Sequence, residues 1–346
     1  MSATIGILLI NLGTPKSPRP FDVYKYLIEF LTDPRVIKMS WLKRQLLVRG
    51  FIVPTRFRQS AKAYEQIWTT EGSPLLVYGK KVKEKLQHSL GPQFLIKLAM
   101  RYQEPSIAQE IATLMKAGID HLIVLPLFPQ YASATTGSVL QRVQEELSRY
   151  TRIPDVTLIS EFATDPDVIS SFCTVAKEYP LTNYDHVLFS FHGLPEKDLL
   201  KEDQVGKCKC NPICCRESIP ENRHCYAAQC YATADAMIKS LEIDPDFYSI
   251  AFQSRLGKDP WLQPYTSEVI KKLAEQGKKK ILVFCPSFVC DCLETTYEIG
   301  IEYNHEFNKA GGDHLQLVPG LNEHPRWIDT LKNLILKHIN NKEIIK

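Results

Sequence analysis

Three groups of residues carry chemistry by their type and spacing. His192 stands in the string SFHGLP, where an apolar run ends and a Gly–Pro turn begins. An imidazole at the end of a strand can face a ligand, is neutral near pH 7, and can accept a proton or bind a metal. The same place also suits a turn histidine that caps a backbone group. Glu294, Glu298 and Glu302 recur at every fourth residue of CDCLETTYEIGIEY, residues 290–303. A helix puts these three carboxylates on one face, and nothing basic four residues away relieves their repulsion. Such a row of hard oxygen donors suits a divalent cation passing along it. A structural alternative is equally specific: Asp291 and Glu294 spell a D-x-x-E capping box, which would leave Glu298 and Glu302 as a solvated acidic face.

The third group is sulfur. Of ten cysteines, six (Cys208, Cys210, Cys214, Cys215, Cys225 and Cys230) fall in residues 208–230. That density suits a metal or iron–sulfur site, although the spacing is not the paired C-x-x-C of a zinc ribbon. Four thiolates can hold a 2Fe–2S centre; zinc and a loop of free thiols are the alternatives. The surrounding stretch is polar and has no core of its own, so ligation would also order it. Arg101, Tyr102, Tyr131 and Trp261 lie at strand ends or in the loops that follow. An arginine beside aromatic rings suits a flat, anionic, conjugated ligand.

The elements that must position these residues are legible in the pattern. Short apolar runs at Ile5–Ile10, Phe94–Met100, His121–Leu127, Thr157–Ser160, Val187–Phe191, Tyr248–Phe252 and Lys280–Phe284 read as strands. Helical periodicity at Ser106–Ala117, Ala227–Leu241 and Thr266–Gln276 alternates with them. That alternation predicts α/β architecture with parallel sheets covered by helices. ILLINLGTP (7–15) is similar to VLFSFHGLP (187–195), and IVLPLFPQ (123–130) to LVFCPSFV (282–289). The chain therefore reads as two related halves, each with an open sheet, meeting near residues 155–170. Ligands of such sheets bind beyond the carboxyl ends of the strands, so a cleft between the halves is the expected site.

Length and composition agree and exclude much else. The 346 residues suit two domains. Hydrophobic residues make up 44% and charged residues 23%, and mean hydropathy is −0.18, values typical of a soluble globular chain. No apolar run approaches a transmembrane helix. A net charge of +3 gives no reason to expect nucleic acid binding. The sequence shows no secretory signal at its start, which favours metal binding over a disulfide framework. There is no G-x-G-x-x-G, Walker A, G-x-S-x-G or H-E-x-x-H motif. One stretch is locally biased. From Pro34 to Tyr64 there is no acidic residue, but eight basic ones (Arg35, Lys38, Lys43, Arg44, Arg49, Arg56, Arg58, Lys62) interleave with Trp41, Leu46, Phe51 and other apolar residues. It reads either as a solvated basic helix or as a surface for anionic lipid or a carboxylate-bearing apolar ligand.

Taken together the motifs resemble the ferrochelatase family, which inserts ferrous iron into a porphyrin. The resemblance runs in order through NLGTP at 11–15, EGSPL at 71–75, MRYQEP at 100–105, PQYASATTGS at 129–138, SFHGLP at 190–195, QSRLGKDPWLQP at 253–264 and DCLETTYEIGIEY at 291–303. It implies two Rossmann-like lobes facing each other across a porphyrin cleft: residues 1–160, residues 161–325 with a cysteine-rich insert at 206–230, and a C-terminal helix at 326–346 packing back on the first lobe. It implies a lyase of haem biosynthesis that forms protohaem from Fe2+ and protoporphyrin IX, with release of two protons. The family's essential histidine falls on His192 and its essential glutamate on Glu294; Glu298 and Glu302 continue the metal-binding face. The residues contacting the porphyrin would be Leu12, Arg101, Tyr102, Tyr131 and Trp261. Some members have His where this chain has Cys292, so the resemblance does not carry a metal-binding role to that position.

The resemblance also bears on the cysteines. Animal members hold a 2Fe–2S cluster with one mid-chain cysteine and a C-terminal extension; here the mid-chain position is Ser133. A subset of bacterial members concentrates cysteines after the catalytic histidine, as this chain does. That implies an internally ligated cluster, structural or regulatory, with Cys208, Cys214, Cys215 and Cys225 as first choices and Cys210 or Cys230 as substitutes. The expected setting is the cytoplasm, with peripheral contact to the inner face of the anionic membrane through 34–64. Other readings are a chelatase for coproporphyrin or for another metal such as cobalt, or a non-catalytic iron–sulfur or haem-binding sensor on the same fold.

Overall fold

The computed structural model describes residues 4–203, 206–217, 219–257 and 259–343, with side chains described through residue 339. The last residues of the expected C-terminal helix, 344–346, lie outside this range. The chain divides into two compact units. The first lobe comprises the chain up to Phe128, Ala132–Glu161 and Asn322 onward; the second comprises Pro129–Tyr131 and Phe162–Leu321.

The first lobe holds β1 (Ile5–Gly13), helices α1 (Pro20–Leu31), α2 (Trp41–Leu47), α3 (Val53–Ile67) and α4 (Pro74–Leu90), then β2 (Phe94–Tyr102), α5 (Ile107–Lys116), β3 (His121–Pro126), α6 (Ser138–Leu147) and β4 (Asp155–Leu158). The strands form one parallel sheet in the order β2-β1-β3-β4. The near-continuous apolar run of β1 is what a parallel strand covered on both faces requires. Leu8, Ile10, Leu122 and Val124 pack against Ile107, Ile111 and Leu114 of α5 and Val139, Val143 and Leu147 of α6. Helix α5 starts where it does because Ser106 and Gln109 form a capping box.

The second lobe repeats this plan. It holds α7 (Pro166–Ala176), β5 (His186–His192), α8 (Glu196–Glu202), α9 (Pro212–Arg216), α10 (Tyr226–Leu241), β6 (Tyr248–Gln253), α11 (Thr266–Glu275), β7 (Lys280–Phe284), a wide helical segment Leu293–Tyr303, α12 (Asn304–Lys309) and β8 (His314–Leu317). Its parallel order is β6-β5-β7-β8. Leu188, Ile281 and Val283 meet Ile270 and Leu273 of α11, Ile299 and Phe307. Strand β8 (HLQL) escaped the sequence reading because it is short and half polar. A final helix, α13 (Pro325–Glu343), belongs to the first lobe and packs on α4.

The strands carry the candidate residues further than their apolar runs suggested. Leu12 and Arg101 lie within β1 and β2, and His192 is the last residue of β5. The repeat is also structural. Met100 N–H donates to the Pro105 carbonyl (2.7 Å) and Phe252 N–H to that of Pro264 (2.8 Å). The exits from β3 and β7 match position for position: Pro126 with Pro286, Phe128 with Phe288, Ala132 with Cys292, and Ser138 with Glu298. Ala132 and Cys292 are both N-caps of widened i→i+5 turns.

Candidate active site

His192 is locked by its backbone. Its N–H donates to Ser287 Oγ (3.4 Å) and its carbonyl accepts from the Tyr226 hydroxyl (2.7 Å). The next residue must be glycine: a Cβ on Gly193 would sit 2.8 Å from the Gln253 carbonyl oxygen and 3.3 Å from the Trp261 ring. His192 Nδ1 lies 2.6 Å from the Gly193 carbonyl. A carbonyl can only accept, so Nδ1 carries the hydrogen and the lone pair of the neutral ring is on Nε2. Phe288 and Trp261 flank the imidazole, with ring centroids 6.2 and 6.5 Å away.

The three glutamates lie on Leu293–Tyr303, which winds with i→i+5 geometry instead of as an α-helix. Widened turns of this kind are rare and concentrate at functional sites. The expected capping box does not form. Asp291 instead accepts the Gly320 N–H (2.8 Å), and the helix is started by Thr295, whose hydroxyl takes the Cys292 N–H (3.0 Å). The capping alternative for Glu294 is therefore removed. Glu294 is half-buried, its carbonyl accepts Gln253 Nε2 (2.8 Å), and its carboxylate neighbours the buried Cys292 thiol. Burial, and after it the charge of Glu294, pushes that thiol far up.

Glu298 is the most heavily bonded of the three. Oε1 accepts the Ser254 N–H (2.7 Å) and the Tyr303 hydroxyl (3.0 Å); Oε2 accepts Gln253 Nε2 (3.2 Å) and the Ser254 hydroxyl. Burial raises its proton affinity, Glu294 adds to that, and the donors and His192 oppose it. Glu302 is exposed and is also shifted upward, by partial burial and then by Glu298 and Glu306. Gln253, Ser254 and Tyr303 were absent from the sequence candidates. Their signals were a polar Gln–Ser pair closing an apolar strand and the place of all three within the family motifs at 253–264 and 291–303.

The first lobe has a polar knot of its own. Asp33 Oδ2 accepts Arg101 Nη2 (2.6 Å), the Tyr102 hydroxyl (2.9 Å) and the Ser138 hydroxyl, and Arg101 Nε donates to Ser138 Oγ (2.7 Å). Asp33 was not foreseen. Tyr102 has no exposed surface, and burial followed by the Asp33 charge pushes its phenol far up. A direct ligand contact through Tyr102 would require it to leave this place; where it stands, it supports Arg101. Leu12 and Tyr131 are half-buried, and Tyr131 N–H is fixed by Gln229 Oε1 (2.7 Å).

Comparison with known proteins gives this geometry a family. A ferrochelatase family profile matches residues 4–339. The ferrochelatase of Coxiella burnetii is 42% identical over 342 residues, 97% of this chain and 94% of that one. That of Legionella pneumophila is 42% identical, covering 96% and 99%. The chain belongs to the ferrochelatase family. Among solved structures, SirB from Bacillus subtilis with Fe3+ aligns with a TM-score of 0.53 at 15% identity, covering 98% of this chain and 97% of that one, a likeness of fold alone.

Within this ferrochelatase fold the cysteine segment sits between α8 and α10. The Sγ atoms of Cys208 and Cys210 are 3.4 Å apart. Burial, then Cys225, Cys214 and Cys208, raises the Cys215 thiol to about 12. Burial raises Cys225 as well, opposed by its hydrogen bonds to Ala228 and Ala227, with Cys208 and Cys214 adding to the rise. Cys208, Cys214 and Cys225 thus lie within electrostatic reach of Cys215. Among the described residues, however, no three His, Cys, Asp or Glu side chains are arranged to hold a metal ion. Cys230 belongs to α10 instead of the loop and is fully buried.

Proposed function

We propose that the protein inserts ferrous iron into protoporphyrin IX, yielding protohaem and two protons. The observation that carries this reading is the pairing, in one lobe, of a histidine with its Nε2 lone pair directed away from the backbone and a carboxylate-bearing widened helix. Iron insertion replaces two pyrrole N–H bonds with Fe–N bonds, so two protons must leave. His192 Nε2 accepts a proton, and Glu294 takes the second or hands over the metal. Exposed Glu302 is the first carboxylate that iron meets. Carboxylate oxygens hold ferrous iron weakly enough to release it to four nitrogens. Trp261 and Leu12 would contact the macrocycle and Arg101 a propionate.

Cys208, Cys214, Cys215 and Cys225 would hold a 2Fe–2S cluster, which would be structural or regulatory and supply no step of the insertion. The 34–64 segment would meet anionic membrane. Supporting this, Trp41, Leu42, Leu46 and Phe51 are all more than half exposed beside exposed Lys43, Arg49, Arg56 and Arg58. Two of the eight basic residues serve the fold instead: Arg44 is buried, binding the Thr32 and Met39 carbonyls, and Arg35 binds Gln141 and Ser133.

The test is an absorption spectrum of anaerobically purified protein, before and after Fe2+ and protoporphyrin are added. The expected result is a cluster spectrum that is lost in Cys225→Ser, followed by conversion of the porphyrin bands to those of haem. An unchanged porphyrin spectrum would overturn the enzymatic reading, and a colourless starting protein the cluster.

A further inference from the structure

The chelatase reading treats the three glutamates as a row of equivalents, and the structure sets one apart. Both oxygens of Glu298 are already occupied, each by two donors. A carboxylate oxygen has two lone-pair directions, so no acceptor position remains for iron unless a bond is broken. The donors are not incidental. Ser254 is held at φ 66°, a left-handed conformation that non-glycine residues adopt only where the surroundings impose it. In it, the N–H and the hydroxyl of one residue both reach Glu298. Gln253 pairs in register with His192, and its backbone carbonyl takes the Gly193 N–H. Its side-chain amide reaches both the Glu294 carbonyl and Glu298, while its Oε1 is fixed by the Ser190 hydroxyl (2.9 Å). One buried glutamine therefore joins the strand of His192 to the helix of Glu294. The first lobe makes the same tie at the matching places. There Arg101, the counterpart of Gln253, binds Ser138, the counterpart of Glu298, and no carboxylate row follows.

We propose that Glu298 is a positioning residue: with Gln253, Ser254 and Tyr303 it fixes the widened turn that carries Glu294, and it does not carry iron. This revises the expectation that Glu298 is a metal ligand, and it rests on the chelatase reading. The experiment is steady-state iron insertion by Glu298→Gln, Ser254→Ala and Tyr303→Phe, with thermal midpoints measured alongside. Wild-type insertion is measured first, so that a failure of the chelatase reading is recognised before any variant is interpreted. The expected result is a kcat lower by roughly tenfold in the two hydroxyl-deleted variants, the effect of losing one hydrogen bond to a charged group. The KM for Fe2+ stays within about twofold in all three, the pattern of a lost transition-state arrangement. Tyr303→Phe removes a single oxygen and keeps the variant set interpretable should Glu298→Gln fold poorly. A KM for Fe2+ raised about tenfold with kcat retained in Glu298→Gln would assign the residue to the iron route and overturn the proposal. Wild-type kinetics in both Ser254→Ala and Tyr303→Phe would overturn it too.

Discussion

At the tip of β1 the first lobe carries Leu12; at the tip of β5 the second carries His192. After the third strand of each sheet, Ala134 matches Glu294 and Ser138 matches Glu298. At the end of the second strand, Arg101 matches Gln253. Strand order, parallel pairing and the widened turn after the third strand are common to both lobes. The chemistry therefore does not come from the architecture. It comes from which side chains occupy a few positions that the architecture holds at the carboxyl ends of its strands. The first lobe uses its set to satisfy itself: Asp33, Arg101, Tyr102 and Ser138 close a buried knot. The second closes a similar knot on Glu298 and leaves His192 Nε2 and Glu294 beside it. The lobes also differ in what they insert between their first two strands, an amphipathic helical segment in one and a cysteine segment in the other.

The strongest challenge to this comparison is His192→Ala beside Leu12→Ala. The first should lose about 10³-fold or more of the iron insertion rate, the scale of a lost proton acceptor, with an unchanged unfolding midpoint. The second should lose no more than about 10²-fold, the scale of a lost apolar contact in a pocket. Near-normal insertion by His192→Ala, or equal losses in the two variants, would dissolve the functional distinction between the lobes. Next in size is Asp33→Ala. It strands the largely buried Arg101 guanidinium and two hydroxyls, so urea denaturation should report destabilisation of about 2–4 kcal/mol. A change under about 0.5 kcal/mol would mean that the first lobe's knot holds nothing together. The smallest effect concerns the insertions. Replacing exposed Trp41 and Phe51 by serine should leave stability within about 0.5 kcal/mol while reducing co-sedimentation with phosphatidylserine-containing vesicles. Sedimentation of the wild type that ignores the anionic lipid fraction would remove the membrane role from this segment.

Much of this was legible without coordinates. The parallel strands announced themselves as short, doubly covered apolar runs, and the repeat showed in the strand-to-turn junctions. His192 and the glutamate spacing stood out because they are polar types at places where the pattern changes. Other features could not be read, each for a physical reason. Asp33 is an unremarked acid until the fold brings it to Tyr102, 69 positions along the chain. Gln253 and Glu298 are 45 apart. The i→i+5 winding of Leu293–Tyr303 leaves no mark on an i, i+4 pattern that an α-helix would satisfy equally. The capping box at Asp291 did not form because the helical segment starts one residue later, with Cys292 as its N-cap boxed by Thr295.

By itself, then, the sequence determined which elements form and which residues stand at their ends, because periodicity and turn chemistry are local. Only the tertiary structure decided which polar side chains are spent on one another and which remain available. Hydrogen bonds between the ends of separate strands and helices depend on chain segments far apart, and no spacing rule records them. That is why three glutamates that look alike in the sequence differ in the fold: one beside a buried thiol, one saturated with donors and one exposed.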